Sequence, residues 1–111
     1  MFETETEVRE YCKYIIQCLV EEKFVELENR GVLDRVSKDD IKRVLKEYDD
    51  KNHISMPTTG YLNELEVHEY NDCSGYWVDI DLFYNNQISD LTLQLDFRKN
   101  GKVIIDDLHV L

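Results

Sequence analysis

The hydrophobic pattern of this chain predicts an α+β fold, with three N-terminal helices packed on a C-terminal four-stranded antiparallel sheet. Three observations carry that expectation. Apolar residues recur at helical spacing as far as Tyr48, they alternate with polar residues after Gly60, and turn-forming clusters divide the alternating half. One sheet face is strongly apolar and is expected to meet the helices, while the other mixes acids with aromatics. At 111 residues the whole chain, 1–111, is expected to be a single domain, because a second core would be too small to hold itself together.

The first helix is expected from about Glu5 to Glu22. Thr4 and Glu7 have capping-box spacing, Glu3, Glu5 and Glu7 suit the positive end of the helix dipole, and Val8, Tyr11, Cys12, Ile15, Cys18 and Leu19 make one stripe. A short second helix, about Lys23 to Arg30, presents Phe24 and Leu27 and stops at Gly31. The third is capped by Ser37 with Asp40 three residues on. It carries Ile41, Val44, Leu45 and Tyr48, and ends near Asp50. Asp49 to Gly60, with the single proline Pro57, reads as a loop.

In the second half, Leu65 and Val67 alternate with Glu64, Glu66 and His68, which predicts a first strand. After the turn cluster Asn71–Gly75, Val78, Ile80 and Leu82 take one face and Trp77, Asp79, Asp81 and Phe83 the other. Asn85-Asn86-Gln87 makes a second turn. Leu91, Leu93, Leu95 and Phe97 then alternate with Asp90, Thr92, Gln94 and Asp96. Asn100-Gly101 predicts a tight hairpin turn with positive φ at both central residues, leading into a last strand from about Lys102 towards Leu111. This order of elements is compatible with a nuclear-transport-factor-2-like cone, in which a strongly curved sheet wraps a long first helix.

Composition narrows the function classes. Hydrophobic residues make up 42% and charged residues 33%, a globular balance. The N-terminus has neither a basic-then-apolar signal pattern nor an acid-poor presequence, and no apolar run approaches the length of a membrane span. Cys12, Cys18 and Cys73 are odd in number and lack metal-ligand spacing, which fits reduced thiols, so a cytoplasmic protein is expected. The net charge is −11 and it is uneven. Residues 1–60 hold 14 acids and 10 bases, whereas residues 61–111 hold 10 acids and only 3 bases. Such a field repels nucleic acid and anionic membranes and attracts basic proteins. The plainer account is that it serves solubility.

No phosphate-binding glycine loop, zinc-protease motif, CxxC pair or nucleophile elbow is present. Asp79 and Asp81 share a strand face, and His68 on a neighbouring strand completes a conceivable acid–base or metal set. Without a second ligand pair a solvated strand face is the better reading. Asp106-Asp107 suits a turn or edge, and His109, among apolar residues, suits packing or hydrogen bonding. Cys73 stands beside Asp72, and a neighbouring carboxylate disfavours a thiolate, which argues against a nucleophile. No catalytic residue, cofactor or metal is therefore expected. The more informative constellation interleaves acids with aromatics. Glu64, Glu66, Glu69, Tyr70, Asp72, Trp77, Asp79, Asp81 and Tyr84 are the expected partner-binding set, aromatics as anchors and carboxylates pairing with a partner's Lys and Arg. Against this, Trp77 and Phe83 would instead fill the inside of a curved sheet.

Three stretches, Tyr76–Leu82, Ser89–Leu95 and Ile105–Leu111, resemble a family of small bacterial α+β proteins, some of them similar to the immunity proteins of contact-dependent growth inhibition systems. The Ser89–Leu93 and Asp106–Leu111 segments are its specific part. The resemblance implies a cytosolic immunity protein that binds the toxic C-terminal domain of a sibling system and blocks it. Such toxins are often RNases, including tRNases, or DNases. The charge agrees independently, since a nuclease needs a basic groove that an acidic protein can occupy. Two alternatives remain open at this point: a small cone-type enzyme or ligand-binding domain with an internal pocket near Trp77 and Asp79, and a regulatory module, with homodimerisation undecided.

Overall fold

A computed structural model describes residues 4–110 and bears out the α+β order, helices first and an antiparallel sheet after. Glu3 and Leu111 lie outside the described residues. Helix α1 (Glu5–Val20) starts where Thr4 Oγ1 accepts from the Glu7 N–H at 3.2 Å, and the Glu7 carboxylate accepts in return from the Thr4 hydroxyl. It buries Val8, Cys12, Ile15, Ile16, Cys18 and Leu19. Burial pushes the Cys12 thiol up to about 12, as expected of a small packing residue. Helix α2 (Phe24–Asn29) buries Phe24 and Leu27, and Gly31 ends it with φ +74°. Helix α3 (Lys38–Tyr48) is capped by Ser37 Oγ, which accepts from the Asp40 N–H at 3.0 Å, and it buries Ile41 and Leu45.

The sheet departs from a simple four-stranded meander. It contains β1 (Ile54–Ser55), β2 (His68–Glu69), β3 (Gly75–Tyr84), β4 (Gln87–Arg98) and β5 (Val103–Val110), all pairs antiparallel. Strands β3, β4 and β5 are the expected long strands. Both β1 and β2 are two-residue pieces on the same edge of β3, at its C-terminal and N-terminal ends respectively. The segment read as a loop thus contains β1, and its end starts a short helix, α4 (Thr59–Asn63), capped by Thr58. Of the first expected strand, only His68 pairs.

The turns also exchange roles. The two-residue loop with positive φ at both positions is Asn85-Asn86 (φ 51° and 63°), closed by the Tyr84↔Gln87 pair. Asparagine tolerates the left-handed region better than other non-glycine residues. Around Asn100-Gly101 only Gly101 has positive φ, 89°. Arg98 N–H bonds Lys102 C=O at 2.8 Å, so this is a three-residue loop. Gly75 is required for a different reason, since a Cβ there would lie 2.0 Å from the Phe97 carbonyl oxygen.

The helices and the apolar sheet face share one core. Val78, Ile80, Leu82, Leu91, Leu93, Leu95, Phe97 and Ile105 are buried in the same cluster as the helical residues. Tyr11 meets Phe97 edge-on, with ring centres 6.1 Å apart, tying α1 to β4. The β4–β5 register shifts between Gln94 and Leu95, so Asp106 is an extra residue in β5. The bulge lets both Asp106 and Asp107 avoid the core: Asp106 pairs with Arg35 at 2.9 Å, and Asp107 stands opposite Gln94 on the outer face.

Leu93 is 1% exposed in the centre of this core. Leu93→Ala is expected to cost about 2–5 kcal/mol, read from a denaturant titration, and a loss below about 0.5 kcal/mol would show that the register is wrong.

Candidate protein-binding face

The outer sheet face is built by strand parity. Trp77, Asp79 and Asp81 point away from the core, opposite Asp96, Gln94 and Thr92 on β4, and Asp107 and His109 continue the rows on β5. His68 pairs with Trp77, and their rings stack at 4.1 Å and 18°. Beside them an open groove of about 390 Å³ is lined by Tyr61, Glu64, Leu65, Glu66, His68, Trp77 and Asp79.

The groove exists because β2 stops early. Continuing the His68↔Trp77 register would set Glu66 opposite Asp79 and Glu64 opposite Asp81. Like charges directly across a ladder are destabilising. Instead the chain leaves the sheet. Leu65 is buried in the core, its N–H reaches Leu62 C=O at 3.5 Å, and its carbonyl accepts from Arg9 Nε at 2.9 Å. These contacts hold the two glutamates beside β3 without pairing them to it.

Four of the expected partner-binding residues, Glu64, Glu66, Trp77 and Asp79, are therefore brought together in one groove. Asp81 adjoins it, but its carboxylate accepts from Thr92 Oγ1 at 3.0 Å. The remaining four lie elsewhere. Asp72 sits in the turn before β3, where the Ser74 hydroxyl and N–H lower its carboxyl's pKa. Glu69 is opposite Tyr76, on the parity of the other face. Tyr70 donates to the buried Asp96 at 2.9 Å, and Asp96 also pairs with Arg98 at 2.9 Å. Burial, then that hydrogen bond, push the Tyr70 phenol up to about 12. Tyr84 is a core residue that donates to Leu45 C=O at 2.7 Å, and burial holds its phenol up at about 12. It also walls a separate cleft of about 650 Å³, whose lining balances Lys42, Lys46 and Lys51 against Glu22, Asp49 and Asp50.

Three residues of this face were not in the expected set. Tyr61 comes from the unexpected α4. Its hydroxyl accepts the Asp81 N–H at 2.8 Å, and its ring covers Phe83 at 5.3 Å. Ile88, opposite Phe83, is 57% exposed and adds an apolar patch beside the acids. His68 is the stacking partner of Trp77.

The electrostatics are one-sided. Among the described residues, no Lys or Arg stands in ion-pair contact with Glu64, Glu66, Asp79 or Asp81. Glu66 lies 3.6 Å from His68 Nε2, and Asp107 Oδ2 lies 3.1 Å from His109 Nδ1 without hydrogen-bond geometry. The bases of the last 51 residues are Arg98, Lys99 and Lys102, all around the β4–β5 turn. No three His, Cys, Asp or Glu side chains among the described residues gather to hold a metal, and no helix there is long and apolar enough to cross a membrane.

Fold and face together define a small α+β protein with an acidic, aromatic-bearing sheet surface. The chain belongs to the family described as Domain of unknown function (DUF7668), matched over residues 16–111. No curated protein and no solved structure matches it.

If charge keeps β2 short, Glu66→Lys should convert a repulsive pair into an attractive one. We expect it to stabilise the chain by about 0.2–1 kcal/mol in a denaturant titration at low salt, an effect lost at high salt. A destabilised variant would mean that packing alone stops the strand.

Proposed function

We propose that this chain is an immunity protein. It binds the toxic C-terminal domain of a cognate toxin, a basic nuclease acting on RNA, and neutralises it in the cytoplasm by contact without chemistry. The observation that carries this reading is the acidic groove, whose carboxylates Glu64, Glu66 and Asp79 have no Lys or Arg in ion-pair contact among the described residues. A basic partner supplies the missing cations. The family resemblance of Tyr76–Leu82, Ser89–Leu95 and Ile105–Leu111 points the same way.

Physical chemistry divides the labour of such an interface. Exposed carboxylates accelerate encounter with a basic surface, an effect that salt screens. Trp77, already fixed against His68, loses little side-chain freedom on binding and is suited to slow dissociation. Glu64, Glu66 and Asp79 are exposed, and the groove they line is open. That arrangement suits contact with a macromolecule better than enclosure of a small substrate.

The genes flanking this one identify the toxin domain to test. Co-expression with the chain is expected to protect cells from that domain. The variant carrying Glu64→Lys, Glu66→Lys and Asp79→Lys should lose protection and weaken binding by on the order of a hundredfold or more, with slower association and a flatter salt dependence. Undiminished protection by the folded triple variant would place the interface elsewhere.

A further inference from the structure

We infer that the unpaired stretch of the β3 edge is a slot for an extended segment of the partner protein carrying a Lys or Arg opposite Asp79. The inference rests on the binding reading above and adds how the partner is read.

Backbone geometry defines the slot. On this edge, Gly75 C=O accepts from Tyr70 N–H at 3.0 Å and Trp77 pairs with His68. Further along, Asp81 N–H donates to the Tyr61 hydroxyl at 2.8 Å, and Phe83 and Tyr84 pair with β1. Alternation along an antiparallel strand points the N–H and C=O of Asp79 to the same edge as those of Trp77 and Asp81. The opposite polarity of the intervening residues agrees, since on β4 Arg98 N–H is directed to Lys102 of the β5 side, leaving Phe97, Leu95 and Leu93 to bond β3. Among the described residues no strand stands opposite Asp79 on the open edge. The gap is bracketed by β2 and by Tyr61, so it holds one residue in full backbone register, with one N–H and one C=O to offer.

Register then selects the side chain. In an antiparallel pair, directly opposite residues project to the same face. A partner residue opposite Asp79 therefore sends its side chain to the outer face, into the groove lined by Glu64, Glu66, Trp77 and Asp79. Three carboxylates with no Lys or Arg in ion-pair contact among the described residues select a cation there. The same charges that disfavour the chain's own Glu66 in this position admit a Lys or Arg. The partner's residues on either side project inward, towards the edge of the core at Leu65, and are expected to be small or β-branched.

The test uses the full chain, isotope-labelled, with a capped pentapeptide Thr-Val-Arg-Val-Thr as probe. Two controls accompany it: the same peptide with Glu for Arg, and one N-methylated at the Arg amide. At peptide concentrations up to about 5 mM, the Arg peptide is expected to shift resonances of residues 61–68 and 77–81 and to slow exchange of the Asp79 amide by on the order of tenfold. The Glu peptide should leave them unmoved. N-methylation, which removes one backbone donor, should weaken binding by on the order of tenfold. Asp79→Lys keeps the backbone and repels the cation, so it should abolish the response. An unmoved Asp79 amide, or equal binding of the N-methylated peptide, overturns the slot. The cognate toxin domain separates the two ideas. If it binds at the acidic face while the Asp79 amide exchanges as in the free chain, the slot falls and the binding reading stands. If it binds away from that face, both fall.

Discussion

Glu66 and Asp79 would stand face to face if β2 continued by two more residues, and Glu64 and Asp81 two residues later. That repulsion acts together with the burial of Leu65, whose carbonyl is taken by Arg9 of α1. One term pushes the segment off the sheet and the other pulls it towards the helices. The groove, the exposed edge of β3 and the cluster of carboxylates all follow from this departure. Neither term is large alone, since a cross-strand charge pair contributes a few tenths of a kcal/mol to about 1 kcal/mol. Burying a leucine contributes about 1.5–3 kcal/mol, which makes core packing the larger of the two.

The core gives the outer face its rigidity. Val78, Ile80, Leu82, Leu93 and Leu95 lock the inner side of β3 and β4, so Trp77, Asp79 and Gln94 are held at fixed spacings across the sheet. Asp96 shows how the molecule handles a carboxylate that it does bury, giving it a tyrosine hydroxyl and a guanidinium. Glu64, Glu66 and Asp79 receive no such partners and stay in solvent. The contrast separates an acid that builds the fold from acids that remain available to another molecule.

Much of this was legible in the sequence because it is local. The Thr4 and Ser37 caps, the stop at Gly31 and the apolar alternation of Leu91, Leu93, Leu95 and Phe97 depend on neighbours a few residues away. The failures are cases where distant residues decide. Leu65 and Val67 alternate like a strand, but whether they pair depends on the charges of β3 and on Arg9. Asn100-Gly101 and Asn85-Asn86 both suit a tight turn, and it is the pairing of the flanking strands that encloses two residues at Asn85-Asn86 and three at Lys99–Gly101. Tyr84, expected as an anchor, lies on the core face, as its parity with Val78, Ile80 and Leu82 dictates. Phe83 is on the outer parity as read, yet it is buried because Tyr61 of α4 covers it. No periodic signal announces a five-residue helix such as α4.

Amide hydrogen exchange of the free chain tests the central claim most directly, since it asks whether the β3 edge is open. The account predicts that the Asp79 amide exchanges orders of magnitude faster than those of Val78 and Ile80, which face β4 and open only with the core. Equal protection of Asp79 and Ile80 would contradict it, because the edge would then be closed by the chain itself and the acidic groove would not be a vacancy for a partner.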